Sequence, residues 1–119
     1  MPITFVSGTL AGPAGVPETL DFLVDSGATY TVVPERVWRA LGLTARRVQR
    51  FRLADGTAME RPVGAAHIYL GPELGDTETP VILGEPGDQS LLGAVTLEEL
   101  GLVLNPFTRS LHPASMMMA

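Results

Sequence analysis

The residues best able to do chemistry form one short segment, Asp25-Ser26-Gly27, directly after the apolar run Phe22-Leu23-Val24. An aspartate is rarely buried without a partner, so a carboxylate at the end of an apolar strand needs an explanation. One interpretation is structural, in which Asp25 caps its own turn through the next two residues. The other is catalytic, because a positioned carboxylate can take a proton from water. The segment alone leaves both interpretations open.

The composition excludes several other kinds of site. Cysteine is absent, which excludes disulfides, thiolate metal ligands and a cysteine nucleophile. The two histidines, His67 and His112, lie far apart along the chain, which disfavours a histidine metal cage. No serine lies in a Gly-x-Ser-x-Gly elbow, and Gly12–Gly15 lacks the spacing of a phosphate-binding loop. We therefore expect no metal and no organic cofactor.

The chain has the length and composition of one folded domain. Its 119 residues are 45% hydrophobic and 18% charged, which excludes a wholly disordered chain. We predict a single domain over residues 1–119, with 113–119 as a frayed tail. A net charge of −5 disfavours nucleic acid as a partner. No apolar run is long enough to span a bilayer and no signal segment is visible, so we predict no membrane partner and a cytoplasmic location.

The basic residues are unevenly distributed. All eight are arginine, and seven of them fall between Arg36 and Arg61. A patch for an acidic partner is one interpretation of this segment, and a solvated face is the other. We favour the solvated face, since a net-acidic domain exerts little long-range attraction on nucleic acid. The arginines in question, which could still steer an acidic substrate, are Arg46, Arg47, Arg50 and Arg52.

The elements that must position Asp25 are short. Apolar alternation and turn residues predict strands at Ile3–Val6, Thr19–Val24, Thr31–Val33, Phe51–Ala54, Ala58–Pro62, Val63–Leu70, Pro80–Leu83, Leu102–Leu104 and Ser110-Leu111. The dipeptide Asp55-Gly56 predicts a hairpin turn. We predict one helix over Pro34–Leu41 and another that begins with Thr96 as the N-cap of a capping box with Glu99. The result is a mainly β domain, barrel-like or sandwich-like, with six to nine strands and two short helices.

Three segments in order resemble landmarks of the retropepsin-like aspartic proteases. Leu23–Thr29, with the following Thr31–Val33, resembles the active-site loop of that family. Leu91-Leu92-Gly93 resembles its second landmark, two apolar residues and a glycine before a short helix, and Phe51–Pro62 falls where the family has its flap hairpin. The resemblance covers Ile3–Leu111 and is closer to single-domain cellular and bacterial members than to viral ones. It implies an acid-protease barrel with one or two short helices.

The resemblance also implies a mechanism and an assembly. In this family two carboxylates share one proton: one acts as base on a water, and the other polarises the scissile carbonyl. The chain contains a single Asp-Ser-Gly, because Asp55-Gly56-Thr57 has a different order and lies in a hairpin turn. The resemblance therefore implies an aspartic endopeptidase that is a homodimer, with Asp25 from each subunit as the catalytic residue. Its substrate would be an extended polypeptide.

The family's roles carry over to individual positions. Ser26 would brace the two loops across the dimer axis, Gly27 would allow the turn and offer its carbonyl to substrate, and Ala28 would keep that approach open. Leu92-Gly93, in the second landmark with Leu91, would form the apolar shelf beneath the loop, with Gly93 required for close backbone packing. The flap would close over the substrate with Leu53, Ala54, Asp55, Gly56 and Thr57. Terminal strands, with Ile3–Val6 and Leu102–Leu104 as candidates, would hold the dimer together.

The chain departs from the viral members at three positions. Those members have acidic residues after the active-site loop and an arginine after the second glycine, which form an ion pair. Thr29, Tyr30 and Ala94 stand in those places here. Two alternatives therefore accompany the endopeptidase: a catalytically weak or inactive dimeric module that binds peptides on the same fold, and an enzyme that cuts only itself or one dedicated partner.

Overall fold

The structure, a computed structural model, describes residues 3–114. These residues contain nine strands and two short helices. In chain order they are β1 (Phe5–Ala11), β2 (Glu18–Val24), β3 (Thr31–Val33), α1 (Glu35–Ala40), β4 (Arg47–Arg52), β5 (Ala58–Tyr69), β6 (Asp76–Leu83), β7 (Leu91–Leu92), α2 (Ala94–Glu99), β8 (Leu102–Asn105) and β9 (Ser110–Pro113). The predicted mainly β class with two short helices is confirmed.

Six of the strands close into a ring. They run in the order β1-β2-β7-β3-β6-β5, and β1 pairs back onto β5 through Leu10 and Ile68. The β2–β7 and β3–β6 pairs are parallel, and the other pairs in the ring are antiparallel. β4 pairs with β5 alone and so lies outside the ring, while β8 and β9 form a separate antiparallel pair. This architecture agrees with the predicted barrel.

The inside of the ring holds the hydrophobic core. Side chains alternate between the two faces of each strand, so every second residue points inward. Each large apolar side chain that is fully buried contributes about 1.5–3 kcal/mol. Those with no exposed surface are Leu10, Phe22, Val33, Val37, Leu41, Val63, Ile68, Val81 and Leu92. α1 closes one side of the core with Val37 and with Leu41, the residue that follows the helix. Trp38 connects the helix to the end of β6 by donating its indole N–H to the Gly84 carbonyl, 2.8 Å away.

Most strands are longer than the sequence predicted, and β4 spans Arg47–Arg52 rather than Phe51–Ala54. β1 begins at Phe5 rather than Ile3 and continues to Ala11, because its second half pairs with both β2 and β5. β5 is one continuous strand, although we predicted two strands that meet at Pro62. Pairing with β6 begins only at Val63, so on that side the proline removes no ladder hydrogen bond.

The predicted capping box is wrong. α2 begins at Ala94 with Gly93 as its N-cap, and no side chain caps it. Thr96 lies inside the helix and has no exposed surface. Its hydroxyl bonds to two other buried threonines, and these tertiary partners replace the local capping bond that the Thr-x-x-Glu pattern indicates.

The predicted frayed tail is wrong for its first two residues. Pro113 pairs with Leu102 in the β8–β9 hairpin, and the Ala114 N–H donates to the Gly101 carbonyl at 2.6 Å. The rest of the predicted tail, 115–119, lies outside the described residues.

Within residues 3–114, no helix has the length and apolar character needed to cross a membrane, and no three His, Asp or Glu side chains group as metal ligands. The cytoplasmic location stays a prediction.

Candidate functional site

Asp25 lies at the end of β2, beside the end of β7. The Asp25 N–H donates to the Leu92 carbonyl at 3.0 Å, which extends the parallel pairing of Val24 with Leu92 by one bond. The chain then turns away through residues 25–30, which we call the Asp25 loop, and returns as β3 on the other side of β7. β7 therefore lies between the two strands that flank the loop, and both ends of the loop are anchored to it.

The carboxylate of Asp25 is oriented by its own turn. The Gly27 N–H donates to Asp25 Oδ1 at 3.0 Å, and the Ala28 N–H donates to the Asp25 carbonyl at 3.1 Å. Asp25 is half-buried, while Ser26 and Gly27 are exposed. No arginine or histidine in residues 3–114 forms an ion pair with Asp25. The capped turn that the structural interpretation predicts is present, and it leaves the half-buried carboxylate at the surface of the Asp25 loop.

The Asp25 loop is fastened to the start of α2 through its backbone. The Ala94 N–H donates to the Ala28 carbonyl at 2.8 Å, and the Val95 N–H donates to the Thr29 carbonyl at 3.0 Å. Gly93 packs directly on the loop: a Cβ there would lie 2.6 Å from the Tyr30 carbonyl oxygen. These backbone contacts involve Thr29, Tyr30 and Ala94, the three positions at which the sequence departs from the viral pattern. They hold the loop without a charged side chain.

A chain of buried hydroxyl groups supports this junction from inside the core. The Gly93 N–H donates to Thr31 Oγ1 at 3.1 Å, and Thr31 bonds to Thr96 at 2.7 Å. Thr96 bonds in turn to Thr79 at 2.7 Å, and Thr79 donates to the Glu99 carboxylate at 2.8 Å. Because an N–H donates at one end and a carboxylate accepts at the other, every hydroxyl in this hydroxyl chain can donate once in the same direction. The sequence analysis missed it.

Replacing Thr96 by valine should destabilise the protein by about 1–3 kcal/mol, because the buried hydroxyls of Thr31 and Thr79 would each lose a partner. Urea unfolding followed by circular dichroism measures the effect. Thr96→Ser is the matched control, since it keeps the hydroxyl and removes only a methyl group. A valine variant as stable as the serine variant would contradict a structural role for the hydroxyl chain.

The face of the sheet opposite the core carries an apolar row beside Asp25. Leu23, Leu91, Val32 and Ile82 are paired in register across β2, β7, β3 and β6, and all four are half-buried. Paired residues share a face, and Asp25 follows Leu23 by two positions, so its carboxylate belongs to the same face. A cavity of about 200 Å³ opens on this row, lined by Val32, Arg61, Ile82, Asp88, Gln89 and Leu91.

The predicted hairpin turn at Asp55-Gly56 is confirmed. It joins β4 to β5, and we call residues 47–62 the flap hairpin. The Leu53 N–H donates to the Thr57 carbonyl at 2.7 Å, and the Gly56 N–H donates to the Leu53 carbonyl at 2.9 Å. Gly56 has a φ of 89°, a conformation that favours glycine. The five turn residues, Leu53, Ala54, Asp55, Gly56 and Thr57, are all exposed.

The sequence matches a known family over most of its length. The model of that family, described as aspartyl protease, matches residues 6–96, which include the Asp25 loop, the flap hairpin and Gly93. This chain belongs to the aspartyl protease family. No curated protein matches the sequence.

Two solved structures share the fold of this aspartyl protease family member. The solution structure of the protease of simian foamy virus (mac) has a TM-score of 0.58 and 21% sequence identity, and the match covers 82% of this chain and 94% of that one. The crystal structure of a retropepsin-like aspartic protease from Rickettsia conorii has a TM-score of 0.51 and 22% identity, covering 87% of this chain and 84% of that one. The retropepsin-like fold inferred from the sequence is confirmed.

The structure brings together two of the three segments singled out in this aspartyl protease sequence. The Asp25 loop, with Ser26 to Thr29, and the segment Leu91–Gly93 are in direct backbone contact. The flap turn forms no hydrogen bond with the loop within residues 3–114. The hairpin contacts the loop further from the turn, where Arg47 and Phe51 of β4 meet Tyr30. Arg47 and Arg50 lie on opposite faces of β4, and Arg50 pairs with Glu60 at 3.6 Å. The arginines of this segment therefore do not form one patch.

The tip of the flap hairpin has its own acid-sensitive contact. The Thr57 hydroxyl donates to Asp55 Oδ1 at 2.6 Å, and the Thr57 N–H donates to the same oxygen at 2.9 Å. The two hydrogen bonds lower the pKa of Asp55 below its ordinary value of 3.8, the hydroxyl bond having the larger effect. Because the folded pKa is depressed, these bonds stabilise the turn above the ordinary pKa and are lost as the pH falls through the lowered one.

An NMR titration should therefore give Asp55 a midpoint below 3.8, with the Thr57 amide shift following the same curve. Thr57→Val removes the hydroxyl donor and should move the midpoint back toward the ordinary value. An Asp55 midpoint at or above 3.8, unaffected by the valine substitution, would contradict this account of the turn.

Proposed function

We propose that this protein is an aspartic endopeptidase that acts as a homodimer. The observation that carries the proposal is the setting of Asp25: a half-buried carboxylate at a strand end, oriented by the Gly27 N–H, on a loop fixed to β7 and α2. A carboxylate held in this way, beside a half-buried apolar row, can activate a water against a bound peptide.

The chemistry requires two copies of Asp25. One carboxylate takes a proton from the water while the oxygen attacks the scissile carbonyl carbon, and the protonated carboxyl of the other copy donates to the carbonyl oxygen. The tetrahedral intermediate then collapses as its C–N bond breaks, and a proton passes to the leaving amine. Two carboxylates about 3 Å apart cannot both be ionised, so the pair holds the single proton that the reaction needs.

A second copy would dock on the surface beside Ser26. A cavity of about 350 Å³ lies there, lined by Ser26, Ala94, Leu97, Glu98, Leu102, Val103 and Leu104. Val103, which lines this cavity, exposes 49% of its surface, and Ile3 and Phe5 in the N-terminal segment expose 58% and 55% of theirs. A two-fold axis through this surface would bring the two Ser26 residues together, cover the apolar side chains and pair the open edges of the terminal strands.

The substrate would be an extended polypeptide. A peptide strand would lie between the flap hairpin and the apolar row, with its backbone bonded to both and alternate side chains directed at the sheet. The cavity at Val32 and Ile82 would take one apolar portion of a side chain. Closure of the flap would exclude water other than the nucleophile.

The second candidate is a dimeric module that binds peptides without cutting them. The observation that favours it is the absence of the ion pair at Thr29, Tyr30 and Ala94, which would weaken the dimer if the backbone contacts do not replace it. A module would retain the groove and the flap but would hold its two carboxylates too far apart to share a proton.

Mass spectrometry of an unstructured peptide library, incubated with the protein between about pH 4 and 7, tests the proposal. We expect internal cuts that are blocked by a peptide with a tetrahedral hydroxyl group in place of the scissile carbonyl. Sedimentation of the same samples should show a dimer. A stable dimer that cuts nothing would favour the binding module or an enzyme with one dedicated substrate, and cutting by a strict monomer would overturn the shared site.

A further inference from the structure

The flap hairpin has few attachments to the rest of the protein. β4 pairs with β5 alone, and β5 joins the ring only from Val63 onward, so residues 47–62 project from the barrel. Within residues 3–114, the side-chain hydrogen bonds of β4 stay inside the hairpin, with one exception. That exception is Arg47.

Arg47 and Phe51 meet the Asp25 loop at Tyr30. The Arg47 guanidinium donates to the Tyr30 hydroxyl at 2.8 Å and lies 5.6 Å from the centre of the Tyr30 ring. Phe51 meets the same ring edge-on, with the ring centres 6.0 Å apart and the planes at 85°. Arg47 and Phe51 share one face of β4, so one tyrosine engages both. A cation over an aromatic face and an edge-to-face aromatic pair are both attractive.

The Tyr30 end of this contact is fixed. The Tyr30 backbone packs on Gly93, the preceding Thr29 carbonyl accepts a bond from Val95, and the next residue begins β3. Tyr30 therefore moves with the loop that carries Asp25. The hairpin has one other side-chain attachment within residues 3–114, the ion pair of Arg61 with Glu85 at its base. Nothing comparable holds β4, so the contact with Tyr30 restrains β4 and not the loop.

We propose that Tyr30 and Arg47 are positioning residues that clasp the flap hairpin to the Asp25 loop. The clasp holds the hairpin over the loop before any peptide binds, which lowers the cost of ordering the flap around substrate. The proposal deepens the proposed function and rests on it for what the flap covers. The clasp itself is a property of the free protein and is measurable without any cleavage.

Amide hydrogen exchange of the whole chain tests the clasp directly. Tyr30→Phe removes the hydroxyl acceptor and keeps the ring, whereas Arg47→Met removes the donor and keeps the apolar stem. Each should raise exchange of the hairpin amides, such as those of Leu53 and Gly56, about fivefold. The double variant should exchange hardly faster than Arg47→Met alone, since both changes break one interaction.

Two substitutions elsewhere on the hairpin strands are matched controls. Arg50→Met removes an arginine from the opposite face of β4, and Tyr69→Phe removes an exposed hydroxyl from the far end of β5. Neither should change exchange of the hairpin amides by more than about twofold. In peptide cleavage, the two clasp variants should raise KM severalfold and change kcat little, because the loss falls on flap ordering and not on Asp25.

The possible results separate the clasp from the proposed function. Exchange that is unchanged in both clasp variants, or raised equally by Arg50→Met, overturns the clasp whatever the protein cleaves. Faster exchange in the clasp variants alone supports it, even if the wild type cuts no peptide and the proposed function fails. A lower kcat with unchanged KM in Tyr30→Phe would place Tyr30 in the chemistry and overturn its role as a positioning residue.

Discussion

Peptide cleavage should fall at least about a thousandfold when Asp25 is replaced by asparagine. The asparagine side chain has the same shape, and its oxygen can still accept the bond that Gly27 donates to Asp25 Oδ1. What it lacks is the ability to take a proton from water. The fold and the dimer should therefore persist while the reaction stops. Initial rates on a peptide identified in the library, with sedimentation and thermal unfolding of the same preparation, measure all three properties.

The matched control is Asp21→Asn. Asp21 lies on the same strand as Asp25 but is exposed, and it forms neither an ion pair nor a side-chain hydrogen bond within residues 3–114. This variant makes the same chemical change and should cleave at the wild-type rate. If Asp25→Asn kept that rate as well, the catalytic assignment would be wrong and the turn-capping interpretation of Asp25 would stand alone.

Mixing the two proteins tests whether the site is shared. When equal amounts of wild type and Asp25→Asn exchange subunits freely, about a quarter of the dimers contain two copies of Asp25. If each active site needs both carboxylates, the rate should fall to about a quarter of that of wild type at the same total concentration. Subunits that act independently would retain about half. The ratio distinguishes the two arrangements even when the dimer is weak, provided that the concentration is held above its dissociation constant.

Local sequence patterns predicted the parts of this fold that depend on neighbouring residues. The strand β2 and the turn at Asp55-Gly56 were identified because each depends on residues close in the chain. The position of Asp25 at a strand end follows from the same local pattern. The insertion of β7 between β2 and β3 could not be derived in this way, because it brings together segments that are distant in sequence.

Thr96 shows why local patterns fail inside the core. A threonine three residues before a glutamate favours a helix start at Thr96, yet its hydroxyl bonds to Thr31 and Thr79. Nothing near Thr96 in the sequence distinguishes these two uses of a hydroxyl. The contact between Arg47 and Tyr30 was not predicted for the same reason, since an arginine in a charged segment is usually solvated. In both cases the side chain bonds to a partner that is distant in sequence and is brought close only by the fold.

Replacing Gly93 by alanine should destabilise the protein by roughly 3 kcal/mol or more and remove activity as well. A Cβ at position 93 would lie 2.6 Å from the Tyr30 carbonyl oxygen and 2.8 Å from the Thr31 nitrogen. Both are backbone atoms, which cannot swing aside as the end of a side chain can. The added methyl therefore forces the Asp25 loop away from α2, and the hydrogen bond from Gly93 to the Thr31 hydroxyl is strained with it.

Gly87→Ala separates this clash from the general effect of losing a glycine. Gly87 has a φ of 85° and open space around the position of a Cβ. Alanine there should lower the free energy of unfolding only through backbone strain, by about 1 kcal/mol. Urea unfolding should rank Gly93→Ala well below Gly87→Ala in stability, and equal values would contradict the close packing. At a low temperature where both variants are folded, Gly93→Ala alone should cleave peptides slowly, because stability and catalysis depend on the same contact between Gly93 and the loop that carries Asp25.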